Sequence, residues 1–267
     1  MAYSFGYSYY RSTVYDFAIV DSSFSRFVVQ NTAAHSFSNS LSMDYGFRDN
    51  MTLNMGLPII LKIDTSDDSD TIAMGDVSLG VRWQPIPVTI GGLNTTFFGN
   101  LSTATGSSPY EGDATKPSTG KGFYSMSGGV SASKITDPVV LFGSLSYSHS
   151  FGISGINQQR SNSTLLEMTP GDSLSFSLGM AYQLSYDVSL SGSFQQSYNF
   201  QSEFVFKDRI AKSEDSTTSV VSTSVGVRVS PERILNLAFG FGLTEDSPDV
   251  TLGFSLPVDL SGLKSGF

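Results

Sequence analysis

Two histidines and no cysteine restrict the side-chain chemistry open to this chain of 267 residues. His35 lies in Ala34-His35-Ser36-Phe37, and His149 in Tyr147-Ser148-His149-Ser150-Phe151. An imidazole that activates a serine must reach its hydroxyl proton, which on a strand means sharing a face two residues away. Phe37 and Phe151 occupy those places, and Ser148 and Ser150 fall on the opposite face from His149. Hydrolase chemistry is therefore not expected, the chain reads as a non-enzyme, and His149 is expected at an interface. The stretch from Asp64 to Asp70 has four carboxylates but lacks the glycine and terminal glutamate of a calcium loop. Absence of cysteine excludes disulfides and thiolate metal sites, and neither a phosphate loop nor a dinucleotide fingerprint occurs. No cofactor and no metal are expected.

With little catalytic chemistry, the question becomes what the chain builds. Charged residues make up 15% of it, against about 25% in ordinary soluble domains, and 39% are apolar. Low charge with 20 Phe and 12 Tyr is the reverse of a disordered composition. The net charge of −9 argues against the broad basic face that nucleic acid needs, so nucleic acid is not an expected partner. No run approaches the ~20 apolar residues of a spanning helix. Met1-Ala2 leads straight into Tyr3-Ser4-Phe5-Gly6, so the chain reads as a mature or truncated piece whose targeting segment has been removed.

What recurs is period two, the mark of strands with unlike faces. Phe37, Leu41, Met43, Tyr45 and Phe47 alternate with Ser36, Ser38, Ser40, Ser42 and Asp44. Leu174, Phe176, Leu178, Met180 and Tyr182 alternate with serine in the same way, as do Leu235 to Leu243 with Asn, Ala and Gly. Ten such runs, with weaker ones near 3–13 and 93–104, predict about twelve strands. Short joins such as Arg48-Asp49-Asn50 and Thr136-Asp137-Pro138 alternate with polar stretches near 14–34, 64–75, 106–121, 152–171 and 205–216. A soluble sandwich would carry Lys and Glu on its polar face, whereas here that face is Ser, Gly, Thr and Asn. The expected fold is all-β: one transmembrane antiparallel up-and-down β-barrel over 1–267 in a bacterial outer membrane. Short periplasmic turns and long extracellular loops belong to that layout.

Twelve strands enclose more space than side chains fill, so the polar face should line a pore. Ser38, Ser40, Ser42, Ser127, Ser144, Ser146, Ser175, Ser177, Ser193, Ser222 and Ser224 are the predicted lining. Asp44, Lys62, Arg82, Arg228 and Asp249 are the charges expected inside, either as a gate or docking ring or as ion pairs that stabilise the wall. Neither an aromatic track nor a basic ring is expected in the lumen. Tyr45, Phe47, Trp83 and Tyr182 toward the turns, and Phe37, Tyr124, Tyr147, Phe151 and Tyr198 toward the loops, read as two interfacial girdles. Acidic loop residues (Asp64, Asp67, Asp68, Asp70, Glu111, Asp113, Glu214, Asp215, Glu245 and Asp246) suit either solvent or divalent bridging to lipopolysaccharide.

Three segments carry a family likeness: Gly75 to Trp83, Thr105 to Tyr110, and Ile135 to Tyr147, the last reading ITDPVVLFGSLSY. They resemble outer-membrane transporters named for the meta pathway of phenol degradation and, within that style of barrel, the pores of Pseudomonas functional-amyloid secretion. The resemblance implies homotrimers, export of unfolded amyloid subunits, and a coiled coil with a helical plug ahead of the barrel. This chain starts at its first strand and so corresponds to the barrel portion. No catalytic or ligand residue carries over. The competing expectation is uptake of small hydrophobic or aromatic molecules, which calls for an apolar lumen patch or a side opening where a strand is broken. Pro58 marks such a place, because it removes a ladder donor.

Overall fold

The computed structural model describes residues 2–20, 24–64, 69–89, 91–111, 117–160, 163–231 and 233–257. The alternating runs become strands β1 (Ala2–Val20), β2 (Phe24–Arg48), β3 (Met51–Asp64), β4 (Ser69–Met74), β5 (Ser78–Trp83), β6 (Leu93–Ser102), β7 (Ser125–Thr136) and β8 (Val139–Ser150). After them come β9 (Ile153–Arg160), β10 (Ser163–Thr169), β11 (Ser173–Gln183), β12 (Val188–Asn199), β13 (Glu203–Phe206) and β14 (Ile210–Lys212). The last three are β15 (Ser216–Ser230), β16 (Arg233–Gly242) and β17 (Val250–Pro257). Thirteen strands form one antiparallel sheet that closes where β17 meets β1, from Ala2 opposite Pro257 to Tyr9 opposite Val250. Because β4 and β5 both pair with β3, they are two parts of one wall strand. The barrel therefore has twelve strand positions, as the sequence pattern predicts.

The division between β4 and β5 lies opposite Pro58. Ile59 faces Met74 and Gly56 faces Ser78, so the second strand spends one residue more than the first. This is a bulge at the point where Pro58 has no N–H to give. The backbone groups freed there find other partners. Gly75 N donates to Pro58 O (2.8 Å), Thr105 Oγ1 donates to Gly75 O (3.2 Å), and Thr119 Oγ1 donates to Met74 O (2.9 Å). The Asp76 carboxylate accepts from Gly106 N (3.0 Å) and Lys121 N (2.7 Å), drawing both arms of the β6–β7 loop onto the wall. Those arms cross at Gly106 and Gly120, where a Cβ on either residue would approach the other's Cα within 2.8 Å. The bulge sits just above the row Gly56–Ser78–Ser102–Ser125–Ser150, the last row of β6, β7 and β8. It is thus a feature of the rim, and beneath it β5 pairs with β3 without a break from Ser78 opposite Gly56 to Trp83 opposite Met51.

Three stretches expected as loops are built differently. Residues 14–20 and 24–34 extend β1 and β2 far past the barrel wall, paired as far as Val20 opposite Phe24. Within 152–171 and 205–216, β9, β10, β13 and β14 form a second sheet in the order β14-β13-β10-β9, above the barrel mouth. Broken alternation hid them: apolar residues adjoin at Ile19-Val20 and Val28-Val29, and strands in water need no lipid-facing alternation. Leu165, fully buried, and Met168, nearly so, are the buried apolar residues of the described chain. They stand on β10 opposite Phe206 and Phe204. Gln158 Nε2 donates to Pro109 O (3.2 Å), tying this cap to the β6–β7 loop, and Lys212 pairs with Glu203 (3.2 Å).

Core leucine-to-alanine changes cost ~2–5 kcal/mol, so Leu165→Ala is expected to loosen the cap and leave the barrel intact. Limited proteolysis should then cut faster within β9–β10 and β13–β14, while the heat-dependent gel shift of the folded barrel stays as in wild type. Cleavage at the wild-type rate would show that Leu165 does not hold the cap.

Candidate functional site

Register decides which residues share the inner face. One row can be followed strand to strand: Asn94, Ser133, Phe142, Gly179, Ser193, Ser222, Gly240, Thr251, Ser8, Ser36, Lys62 and Thr71. The opposite face holds Leu41, Tyr45, Met126, Leu178 and Phe241, all exposed on the outside of the curve, whereas the row above is half-buried or buried. The hydroxyl row is therefore the lumen. All eleven serines predicted to line it fall on this face.

Many lumen serines are paired across strands. Ser4 and Ser40 are 2.6 Å apart, Ser144 and Ser177 2.7 Å, Ser175 and Ser197 2.8 Å, and Ser191 and Ser224 2.6 Å, oxygen to oxygen. Such pairs reinforce the sheet while each hydroxyl keeps capacity for a further bond to solvent or solute. Twelve strands about 4.8 Å apart and tilted by about 40° give a wall about 24 Å across between backbones. Small side chains leave most of that width open below the rim.

Among the described residues, the rings of Phe98 and Phe142 also face inward. Phe98 leans over Gly129, where a Cβ would come within 2.6 Å of its ring, and Phe142 over Gly179, where a Cβ would come within 2.4 Å. The glycines on the neighbouring strands let the rings lie against the wall instead of projecting across the pore. Neither Phe was legible in the sequence, because Phe98 belongs to a weakly alternating run and Phe142 follows another apolar residue, Leu141.

The five expected inner charges have different surroundings. Asp44 and Arg82 lie on adjacent inward rows, Asp44 opposite Asn54 and Arg82 between Thr52 and Phe98. Among the described residues neither has an ion-pair partner, so no ion pair links them in the wall. Lys62 faces inward near the rim, within electrostatic reach of Asp76. Asp249 precedes β17 at the loop end, its carbonyl accepting from Gly242 N. Arg228 is engaged at the periplasmic end: Nη1 donates to Pro231 O (2.8 Å), Nε donates to Tyr186 O (3.4 Å), and the guanidinium lies 4.8 Å from the centre of the Tyr186 ring. It joins two neighbouring turns.

At the loop end, girdle side chains are clamped by carboxylates. Tyr147 Oη and the Ser150 N–H donate to Asp172, and His149 Nδ1 lies 2.8 Å from its Oδ1. Tyr198 Oη donates to Asp215 in the same way (2.5 Å), and the rings of Phe151 and Phe200 stand edge-on to His149 and Tyr198. The Tyr147 hydroxyl first, then the Ser150 N–H and His149, hold the Asp172 carboxyl below the usual carboxylate range against a desolvation that raises it. Asp67, Asp68 and Asp113 lie outside the described residues, and no metal-holding group of His, Asp or Glu occurs among the described ones.

No family model matches the chain. Its fold is similar to that of an outer membrane channel from Pseudomonas putida F1, with a TM-score of 0.72 and 15% identity over 96% of this chain and 92% of that one. The β domain of the Bordetella autotransporter BrkA (TM-score 0.51, 9% identity, 96% and 97% covered) is also similar. So is the transport unit of the autotransporter AIDA-I from Escherichia coli (0.52, 10%, 96% and 87%). At these identities the likeness is one of fold. Fold and inner face together define a bacterial outer-membrane β-barrel, with lipid against its outward side chains.

Two predictions follow from these contacts. Arg82→Ala should change the single-channel conductance or ion preference in planar bilayers, whereas Arg228→Ala should leave both unchanged and lower the melting temperature; unchanged conductance in both would remove the gate. Because the Asp172 pKa is depressed in the folded barrel, its contribution to stability is present above the unfolded-state value and is lost as pH falls through the folded one. Melting curves of wild type and Asp172→Asn should therefore differ at neutral pH and converge in strong acid, and a difference that persists in acid would rule the clamp out.

Proposed function

We propose that this barrel is an outer-membrane channel for extended, weakly charged polypeptide, working as FapF, the Pseudomonas functional-amyloid pore that its segments resemble. The observation that carries the reading is the inner face, where serine hydroxyls pair across the strands and few charges are free. An unfolded Ser-, Gly- and Asn-rich subunit presents amides and hydroxyls along its whole length. Against such a wall it exchanges weak hydrogen bonds with the hydroxyls and with water, and the inward rings of Phe98 and Phe142 lie flat against the wall over glycines. Trimeric assembly and amyloid-subunit partners belong to the same proposal. A second reading, uptake of small hydrophobic or aromatic molecules, draws on the inward Phe98 and Phe142 and on the apolar Pro58, Ile60 and Ala73 near the rim.

Planar-bilayer recording should give a steady open-channel current from the purified barrel. Deleting the gene from a producing strain should abolish surface fibres. Fibres formed as usual, together with slowed uptake of an aromatic solute, would replace the secretion reading by the second one.

A further inference from the structure

The outward face of β7 and β8 is indented. Ala132 stands opposite Gly143, and the two floor a groove of about 430 Å³ walled by Leu93, Val130, Leu141, Leu145 and Leu178. Its depth depends on Gly143, since a Cβ there would meet Leu178 Cδ2 at 2.9 Å and Ser177 O at 3.1 Å. Lys134 lines the same groove at its turn end. Its row, Lys134–Leu141–Met180, is one outward step inside the row Thr136–Val139–Tyr182 of the periplasmic girdle. Among the described residues facing outward between the two girdles, Lys134 is the one with a charged side chain, and no described carboxylate pairs with it.

A cation on a lipid-facing wall costs least where its flexible stem can carry the ammonium to a headgroup. The short turn at Asp137–Pro138 puts this end of the strands at the periplasmic surface, whose leaflet is phospholipid. We propose that the groove is a phospholipid site. One acyl chain lies along Ala132 and Gly143 between the Leu and Val walls, and the phosphate of the same molecule accepts hydrogen bonds from the Lys134 ammonium. The groove offers apolar surface toward the middle of the bilayer and a cation toward the periplasm, the order in which a phospholipid of that leaflet presents tail and phosphate. Lipopolysaccharide carries its phosphates at the other surface. A second copy of the barrel would bring no described carboxylate to Lys134 from its own lipid-facing wall.

The test is native mass spectrometry on the barrel reconstituted in mixed phosphatidylglycerol and phosphatidylethanolamine and then extracted in mild detergent. Wild type should retain phospholipid with a preference for phosphatidylglycerol, and Lys134→Arg should behave like it. Lys134→Gln should lose about fivefold in retention, the worth of one lysine at an anionic headgroup surface. Ala132→Leu should fill the groove and remove retention, with the heat-dependent gel shift reporting that the barrel has folded. Wild-type retention in both Lys134→Gln and Ala132→Leu would overturn the site. So would an oligomer of the wild type that Ala132→Leu dissociates, because the groove would then belong to a second copy.

Discussion

Everything in this molecule depends on the hydrogen bonds between its first and last wall strands. Within hydrocarbon no water is available to a backbone N–H or C=O, so a sheet can cross only if it has no edge. The pairing of β1 with β17 removes that edge. The same constraint explains where the wall tolerates a fault. Pro58 cannot donate, and its fault lies at the last row of the neighbouring strands, where loop hydroxyls meet the carbonyls of Met74 and Gly75 and the Asp76 carboxylate holds the loop by its Gly106 and Lys121 N–H groups. Lower in the wall, the same fault would leave polar groups facing lipid.

Closure also inverts the usual placement of apolar residues. The strands turn Leu, Met, Phe and Tyr outward to lipid, so among the described residues the barrel wall encloses no hydrophobic core and its inner surface is free to be polar. The buried apolar residues of the described chain, Leu165 and Met168, belong to the cap, which stands in water and must bury something to persist. Inside, serine pairs add cross-strand hydrogen bonds at little cost in space. Glycines 129 and 179 supply the room for Phe98 and Phe142. Wall strength and open width therefore come from the same choice of small side chains.

Charge is used sparingly, and its position separates structural from solute-facing groups. Arg228 is committed to turn carbonyls and a tyrosine face, whereas Arg82 faces the lumen without an ion-pair partner among the described residues. The carboxylates at the loop end, Asp172 and Asp215, hold the phenols of the outer girdle. On the lipid face Lys134 adjoins the groove floored by Ala132 and Gly143. A barrel of low overall charge thus has distinct electrostatic roles at its two rims, in its lumen and on its flank.

The sequence by itself determined the barrel, because period-two alternation is a local property: each strand's inner and outer residues can be read without knowing its partners. The lumen serines were legible for that reason, as were the girdles and the alternation of short and long connections. Tertiary structure alone decided what depends on register between distant strands. The β4–β5 bulge at the rim, the sheet joining two loops, Phe98 and Phe142 resting on glycines of adjacent strands, and the capture of Arg228 by its turns all require knowing which residue stands opposite which. Pairing register is set by closing the whole sheet at once, and no window of sequence contains that closure.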